Sequence, residues 1–373
     1  MKDRFEVLDS FRGLCAISVV IYHMNVFGTV TELDFFRGSY LFVEFFFVLS
    51  GFVLSHGYLN RKDVGFKEFF IGRLFRLYPL HIFTLSLVLL FQIIKVIALN
   101  FNVSFEAEPF TGPYNIAQLL PNILLLQSWS FITIPTSFNA PAWSISVEFY
   151  MYFIFFLLVC LFGRRSIVLS TVLSMIFFIF IIGEFEFSTP NVARGISCFF
   201  GGVLFYYFYE LIKDLHLEVH RILATIVEFL LLLAIYFSVS SDFNFVGPIS
   251  SLLFMISVLV FSFELGAISS FFKLKFFKLM GLLSFSIYLT HCVVINYIGA
   301  MIKLISKVVG GEFYFTLNDV NYIDFGGLLY NYIYIFSILA LTFIFSIFTY
   351  NFVEIKSVRY GKRVIHNIKG HEH

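Results

Sequence analysis

Charge is what this sequence has least of. Asp, Glu, Lys and Arg make up 13% of its 373 residues, about half the share of an ordinary soluble domain. A chain this long with so little polar surface has no means of solvating a globule, which excludes a soluble enzyme or binding module. The bilayer must be the solvent for most of it. An excess of one sign is missing too: a net charge of +1 excludes the basic face of a nucleic-acid binder. Cysteine is sparse. Cys15, Cys160, Cys198 and Cys292 each sit in an apolar run, none paired at metal-ligand spacing, so they read as small buried apolar residues. Glycine-rich nucleotide loops, metal clusters and Ser–His–Asp patterns are absent as well. So is a cleavable signal. The first apolar run begins around Phe11 but contains Arg12 and His23, and no small-residue cleavage site follows it, so it reads as the first permanent span.

What is present is hydrocarbon. Hydrophobic residues reach 59%, with 55 Phe, and the mean hydropathy is +0.90. Apolar runs long enough to cross a bilayer fall near 8–28, 40–59, 77–99, 142–162, 166–183, 190–209, 222–239, 246–265, 279–306 and 327–353. The fold class expected is all-α integral membrane, with about ten transmembrane helices in a single domain over 1–373. The stretch 116–134 is apolar but interrupted by Gln118, Pro121, Gln127 and Ser128, so it reads as an interfacial or re-entrant piece. Basic residues orient the spans. With the N-terminus inside, Arg73, Arg76, Arg164, Arg165, Lys213, Arg221, Lys273, Lys275, Lys278, Lys356, Arg359, Lys362 and Arg363 fall on the cytoplasmic side. The opposite loops hold mainly Glu108, Glu184, Glu186, Asp242, Glu312 and Asp324, with Arg37 and Lys307 as exceptions. Both termini are therefore expected in the cytoplasm.

An ionisable residue inside a span is costly and is a functional candidate by default. Arg12 and His23 are eleven residues apart, within about 20° of three full helical turns, which puts them on one face about 16 Å apart along the axis. Asp9, one turn before Arg12, is placed to pair with it. Ser50 and Gly51 in the second span are small enough to let helices approach closely. Arg73 and Arg76 lie one turn apart at the cytoplasmic mouth of the third, a pair suited to a phosphate group, though also to ordinary positive-inside anchoring. The fourth span opens on Pro141 and Trp143 and carries Glu148 about two turns in. Its depth is expected to match that of His23, where a carboxylate can hold a histidine's tautomer and support a general base. Trp143 also suits an interface belt. In the ninth span Tyr288 and His291 share a helix face. Together these residues suit either group transfer across the membrane or proton-coupled transport.

Arg12 with ten residues before His23, then FFVLSG, Arg73-x-x-Arg76, WSISVE and YLTH resemble, in order and spacing, the acyltransferase-3 family of integral-membrane acyltransferases. The resemblance covers almost the whole chain. It implies an O-acetyltransferase of the bacterial inner (cytoplasmic) membrane that takes acetyl-CoA on the cytoplasmic side and acetylates an envelope or cell-surface polysaccharide on the outer side, with no permanently bound cofactor. It implies that His23 is the catalytic base, with Arg12 essential beside it, that Arg73 and Arg76 touch the CoA phosphates, and that Glu148 matches the family's Glu after the Trp-Ser motif. Two departures stand out: Phe149, Tyr150 and Met151 replace a second Glu and a Gln, and the closing Glu-x-Pro appears as Glu354-Ile355-Lys356, which puts a role for Glu354 in doubt.

Overall fold

Long apolar runs have only one way to satisfy their backbone in hydrocarbon, and they take it: the chain is a series of helices. The computed structural model describes residues 4–59, 65–100, 108–183, 189–215, 219–318 and 320–371; Glu184 and Glu186 lie outside them. The long helices are α1 Glu6–Tyr22, α2 Phe42–Tyr58, α3 Phe66–Leu99, α4 Ala142–Phe162, α5 Ser166–Ile182, α6 Pro190–Lys213, α7 Arg221–Val239, α8 Val246–Phe263, α9 Lys275–Val309, α10 Leu328–Thr349 and α11 Ile355–His371. Eight helical stretches among the described residues are long and apolar enough to span a membrane, α4 and α5 forming one of them across the turn 163–165. Counted separately, and with the 17-residue α1, the helices stand at the ten positions expected from hydropathy. The chain is an all-α integral membrane protein.

The surface agrees. Along α7, Ala224, Glu228, Leu231 and Ile235 are buried, while Ile222, Leu223, Leu230 and Phe237 are each more than half exposed. Both faces are largely apolar, unlike a soluble helix, and only lipid can cover the outward one. Cys160, expected to be buried, is exposed; it lies on α4 near Leu157 and Leu161, both also exposed, so its helix turns it outward.

The helices divide between two compact units, each drawn from three chain segments. The first unit takes Met1–Tyr22, Leu33–Phe66 and Met151–Phe285. Within it, α2 crosses α6 closely. A Cβ on Gly51 would lie 1.9 Å from the Phe199 carbonyl oxygen, and one on Gly202 would lie 2.0 Å from that of Val48. Only glycine permits this approach, which accounts for the glycine of FFVLSG. Buried charges here are met by partners. Glu44 pairs with Arg194 at 2.7 Å and Glu210 with Arg164 at 3.1 Å. Glu228 accepts from the backbone N–H groups of Gly266 and Ser269 at 2.9 and 3.1 Å, at the N-terminal end of the short helix Ala267–Phe272, where a negative charge is favoured. Arg37, an exception to the charge pattern, donates to the Tyr22 and Ile21 carbonyls at 2.9 and 3.3 Å. It closes the C-terminal end of α1.

The second unit takes His23–Glu32, Lys67–Tyr150 and Ser286–His373. Leu85, Val88, Phe138 and Val293 form one buried apolar cluster in it, packed by Ile82, Tyr114, Leu119, Ile123 and Tyr297. The stretch 116–134 is a single turn at Ile116–Gln118, a short helix Leu119–Ile123 and a run of turns. Its polar side chains point inward. Asn122 donates to Ser137 Oγ at 2.8 Å, Gln127 to the Ala142 carbonyl at 3.1 Å, and Ser128 to that of Trp143 at 2.9 Å. Irregular backbone is tolerated at membrane depth only when protein satisfies it in this way. A hairpin that hydropathy does not reveal, β1 Tyr314–Leu317 against β2 Val320–Ile323, is met by an isolated parallel bridge from Val26 to Ile323.

Candidate active site

The candidate site lies in the second unit and is organised by the middle of α9. From Ser286 to Cys292 every residue is buried, and the stretch distributes polar contacts in several directions. Ser286 donates to Glu354 Oε2 at 3.0 Å. The Tyr288 hydroxyl lies 2.9 Å from Ser144 Oγ on α4. The Leu289 carbonyl accepts from Asn139 Nδ2 at 2.9 Å, the same amide reaching Thr84 Oγ1 on α3 at 3.1 Å. Thr290 meets Ser346 on α10 at 3.2 Å. Four segments are thus tied to one helical turn, which fixes the orientation of His291.

His291 brings its ring against that of His23, centroids 5.0 Å apart and planes at 42°. Its Nδ1 lies 3.2 Å from the Ile287 carbonyl. A carbonyl only accepts, so Nδ1 carries the proton and Nε2 holds a lone pair. That Nε2 is buried and makes no hydrogen bond among the described residues. Tyr288 flanks the same ring, 6.0 Å between centroids. His23 is the first residue beyond α1 and is half-buried. The chain after it is pinned, since Phe27 N–H donates to the Ile323 carbonyl at 3.0 Å and Ile323 N–H to that of Asn25 at 2.9 Å. Asn331 donates to the Phe27 carbonyl at 3.0 Å.

Cys292 completes a cluster. One ligating atom each from His23, His291 and Cys292 lie within 4.8 Å of one another. Spacing along the chain does not disclose this group, because His23 is remote in sequence from the other two. Glu148 lies one turn along α4 from Ser144, on the same helical face. Trp143 is half-buried, and its carbonyl receives Ser128.

Arg73 and Arg76 lie near the start of α3. Arg73 sits over the Phe69 ring at 6.0 Å. Arg76 forms an ion pair with Glu354, a carboxylate whose side chain is 1% exposed and whose other oxygen receives Ser286. Glu354 stands in a π-helical turn, Tyr350–Glu354, between α10 and α11. Such wide turns recur at functional positions. The sequence left its role in doubt for want of a proline; a buried carboxylate joining α3, α9 and α10 supplies one.

In the first unit, Arg12 lies 3.4 Å from Asp9, which also pairs with Arg4. Arg4, Glu6, Asp9, Lys278, Leu279 and Leu282 line a cavity of about 200 Å³, where Lys278 meets Glu6 at 2.9 Å.

Comparison with known proteins gives this arrangement a context. Residues 5–351 match the family model described as an acyltransferase domain. Among similar proteins, acyltransferase MdmB of Streptomyces mycarofaciens is 32% identical over 141 residues, 37% of this chain and 30% of its own. Protein 2 in the picA locus of Rhizobium radiobacter is 39% identical over 89 residues, 23% and 44% of the two chains. O-acetyltransferase OatA of Staphylococcus aureus is 32% identical over 91 residues, 23% and 14%. Each match spans less than half of the relative's length. No solved structure matches the chain.

Proposed function

The chain belongs to the acyltransferase-3 family of membrane enzymes, and from that premise we propose that it is an O-acetyltransferase carrying an acetyl group from cytoplasmic acetyl-CoA to a hydroxyl of an envelope glycan on the outer side. The observation that carries the reading is the packing of the His23 and His291 rings. A base that becomes an imidazolium needs an environment that accepts positive charge. The Nε2 lone pair of His291, fixed by the Nδ1–H bond to Ile287, supplies one end of a dipole of the right sign.

In the proposed reaction His23 takes the proton of the acceptor hydroxyl. The oxygen attacks the thioester carbonyl carbon, the C–O bond forms and the C–S bond breaks. The CoA thiolate leaves and recovers the proton from His23. Arg73 and Arg76 bind the CoA phosphates, with Glu354 orienting Arg76 as a positioning residue. Glu148, Tyr288 and Trp143 support the reacting end. Arg12, paired with Asp9, is assigned to the donor from the sequence. The proposed location is the inner (cytoplasmic) membrane of a bacterium, both chain termini in the cytoplasm, with no permanently bound cofactor.

The test is transfer of labelled acetyl from acetyl-CoA to envelope glycan in cells lacking their own copy of the gene. Wild type restores labelling, and His23→Ala restores none at equal membrane abundance. Full labelling with His23→Ala would refute the assignment of the base.

A further inference from the structure

Three side chains of the candidate site have a property the transfer reaction does not use: they are all good ligands for a soft metal ion. His23, His291 and Cys292 can each direct one nitrogen or sulfur atom to a common point, these atoms lying within 4.8 Å of one another. His291 is prepared for this role. Its Nδ1–H is committed to the Ile287 carbonyl at 3.2 Å, the arrangement by which metal-binding histidines fix their tautomer and aim the other nitrogen. Its Nε2 is buried and makes no hydrogen bond among the described residues, and a buried acceptor of that kind ordinarily has a partner.

From this geometry we infer that His23, His291 and Cys292 form a binding site for one soft divalent cation of the Zn2+ type, and that the bound ion blocks acyl transfer by occupying the basic nitrogen of His23. Two imidazoles and a thiolate select Zn2+ over Mg2+ or Ca2+, which take oxygen ligands. Bond lengths of about 2.0 Å to nitrogen and 2.3 Å to sulfur place tetrahedral ligand atoms about 3.3–3.6 Å apart. The half-buried His23 ring, at the end of its helix, closes the remaining ångström by rotating. It is also the least buried of the three, the side from which an ion would enter. The fourth position stays open to water. Ligation displaces the Cys292 thiol proton to solvent, with no change of oxidation state, so binding strengthens as pH rises. The site itself stands independently of the reaction; the inhibition rests on His23 being the base.

The experiment uses the full-length protein, purified in detergent and freed of metal with a chelator. Co2+ is added as a spectroscopic probe and displaced with Zn2+. Wild type binds about one equivalent, with visible bands of four-coordinate Co2+ and a near-ultraviolet thiolate-to-metal band. Cys292→Ser loses the thiolate band, and His291→Gln weakens binding by at least about 100-fold, both at unchanged detergent-extracted yield and melting temperature. Absence of a thiolate band in wild type, or its persistence in Cys292→Ser, overturns the site. If one variant does not fold, the other decides. In parallel, Zn2+ inhibits wild-type transfer reversibly on chelation, and the inhibition curve of Cys292→Ser, scaled to that variant's own rate, shifts at least about tenfold to higher Zn2+. Co2+ bands that respond to Cys292→Ser without inhibition by Zn2+ leave the site standing and overturn the blocking role. A protein that needs His23 for transfer but gives no thiolate band overturns the metal site and leaves the proposed reaction untouched.

Discussion

Arg76 and Glu354, on opposite sides of the sequence, meet as an ion pair whose carboxylate is sealed from solvent and shared with Ser286. Removing one partner of a buried pair strands the other charge, at about 3–5 kcal/mol; the partly exposed guanidinium lowers that here. Glu354→Ala is expected to destabilise the protein by about 2–3 kcal/mol, read as a lower melting temperature in detergent. Glu354→Gln keeps an acceptor for Arg76, turns the bond with Ser286 into one donated by its amide, and loses the charge. It is expected to weaken acetyl-CoA binding about tenfold while leaving the rate at saturating donor nearly unchanged. A fall in that saturating rate with unaltered donor affinity contradicts a positioning role.

Asn139 bridges α3 and α9 through Thr84 and the Leu289 carbonyl, two residues before His291. Asn139→Ala deletes both bonds, while the Leu289 carbonyl keeps its helical partner inside α9. A loss of about 2 kcal/mol of stability is expected. Slower transfer should accompany it, because the turn carrying His291 loses one of its ties. Asn139→Asp, which cannot donate to a carbonyl when ionised, should be as damaging. Equal rates for wild type and Asn139→Ala would show that this tie does not set the ring's position.

Tyr288 and Ser144 are close enough to share a proton, but Ser144 Oγ also lies 3.1 Å from the Pro141 carbonyl. Tyr288→Phe therefore leaves no hydroxyl stranded, and a loss of about 1 kcal/mol is expected, with transfer retained. Abolished transfer in a stable Tyr288→Phe protein would assign the hydroxyl to the chemistry itself.

Gly51 and Gly202 allow α2 and α6 to cross with backbone against backbone. An added methyl at either has no low-energy place to go, since what it meets is a main-chain carbonyl. Gly51→Ala and Gly202→Ala should each prevent accumulation of folded protein, as judged by a monodisperse peak after detergent extraction. Gly57→Ala, with open space around it, should behave as wild type.

Helix positions were legible from the sequence because a bilayer permits few alternatives: a long apolar run is a span, and ten such runs became ten helices. The stretch 116–134 was legible in the negative, as something too polar to cross. The hairpin of β1 and β2 does not show in the hydropathy, although its aromatic and β-branched residues flank an Asn-Asp pair in the sequence; in a chain this apolar, strand-like composition does not stand out. Long-range meetings were not legible at all. Nothing in the spacing sets His291 against His23, or Glu354 against Arg76, since those contacts depend on how helices far apart in the chain pack. Estimated depth suggests Glu148 for His23; it gives no hint of the His291 ring that packs against His23.

In the proposed reaction Arg73 and Arg76 hold the donor and His23 performs the transfer. Binding and turnover of radiolabelled acetyl-CoA by the purified protein separate the two. Wild type is expected to bind and consume the donor. His23→Ala should bind it with near-wild-type affinity and turn over at least about 100-fold more slowly, and Arg73→Ala/Arg76→Ala should bind poorly. A folded wild-type protein that neither binds nor consumes acetyl-CoA, or a His23→Ala protein that turns it over at the wild-type rate, would contradict the account.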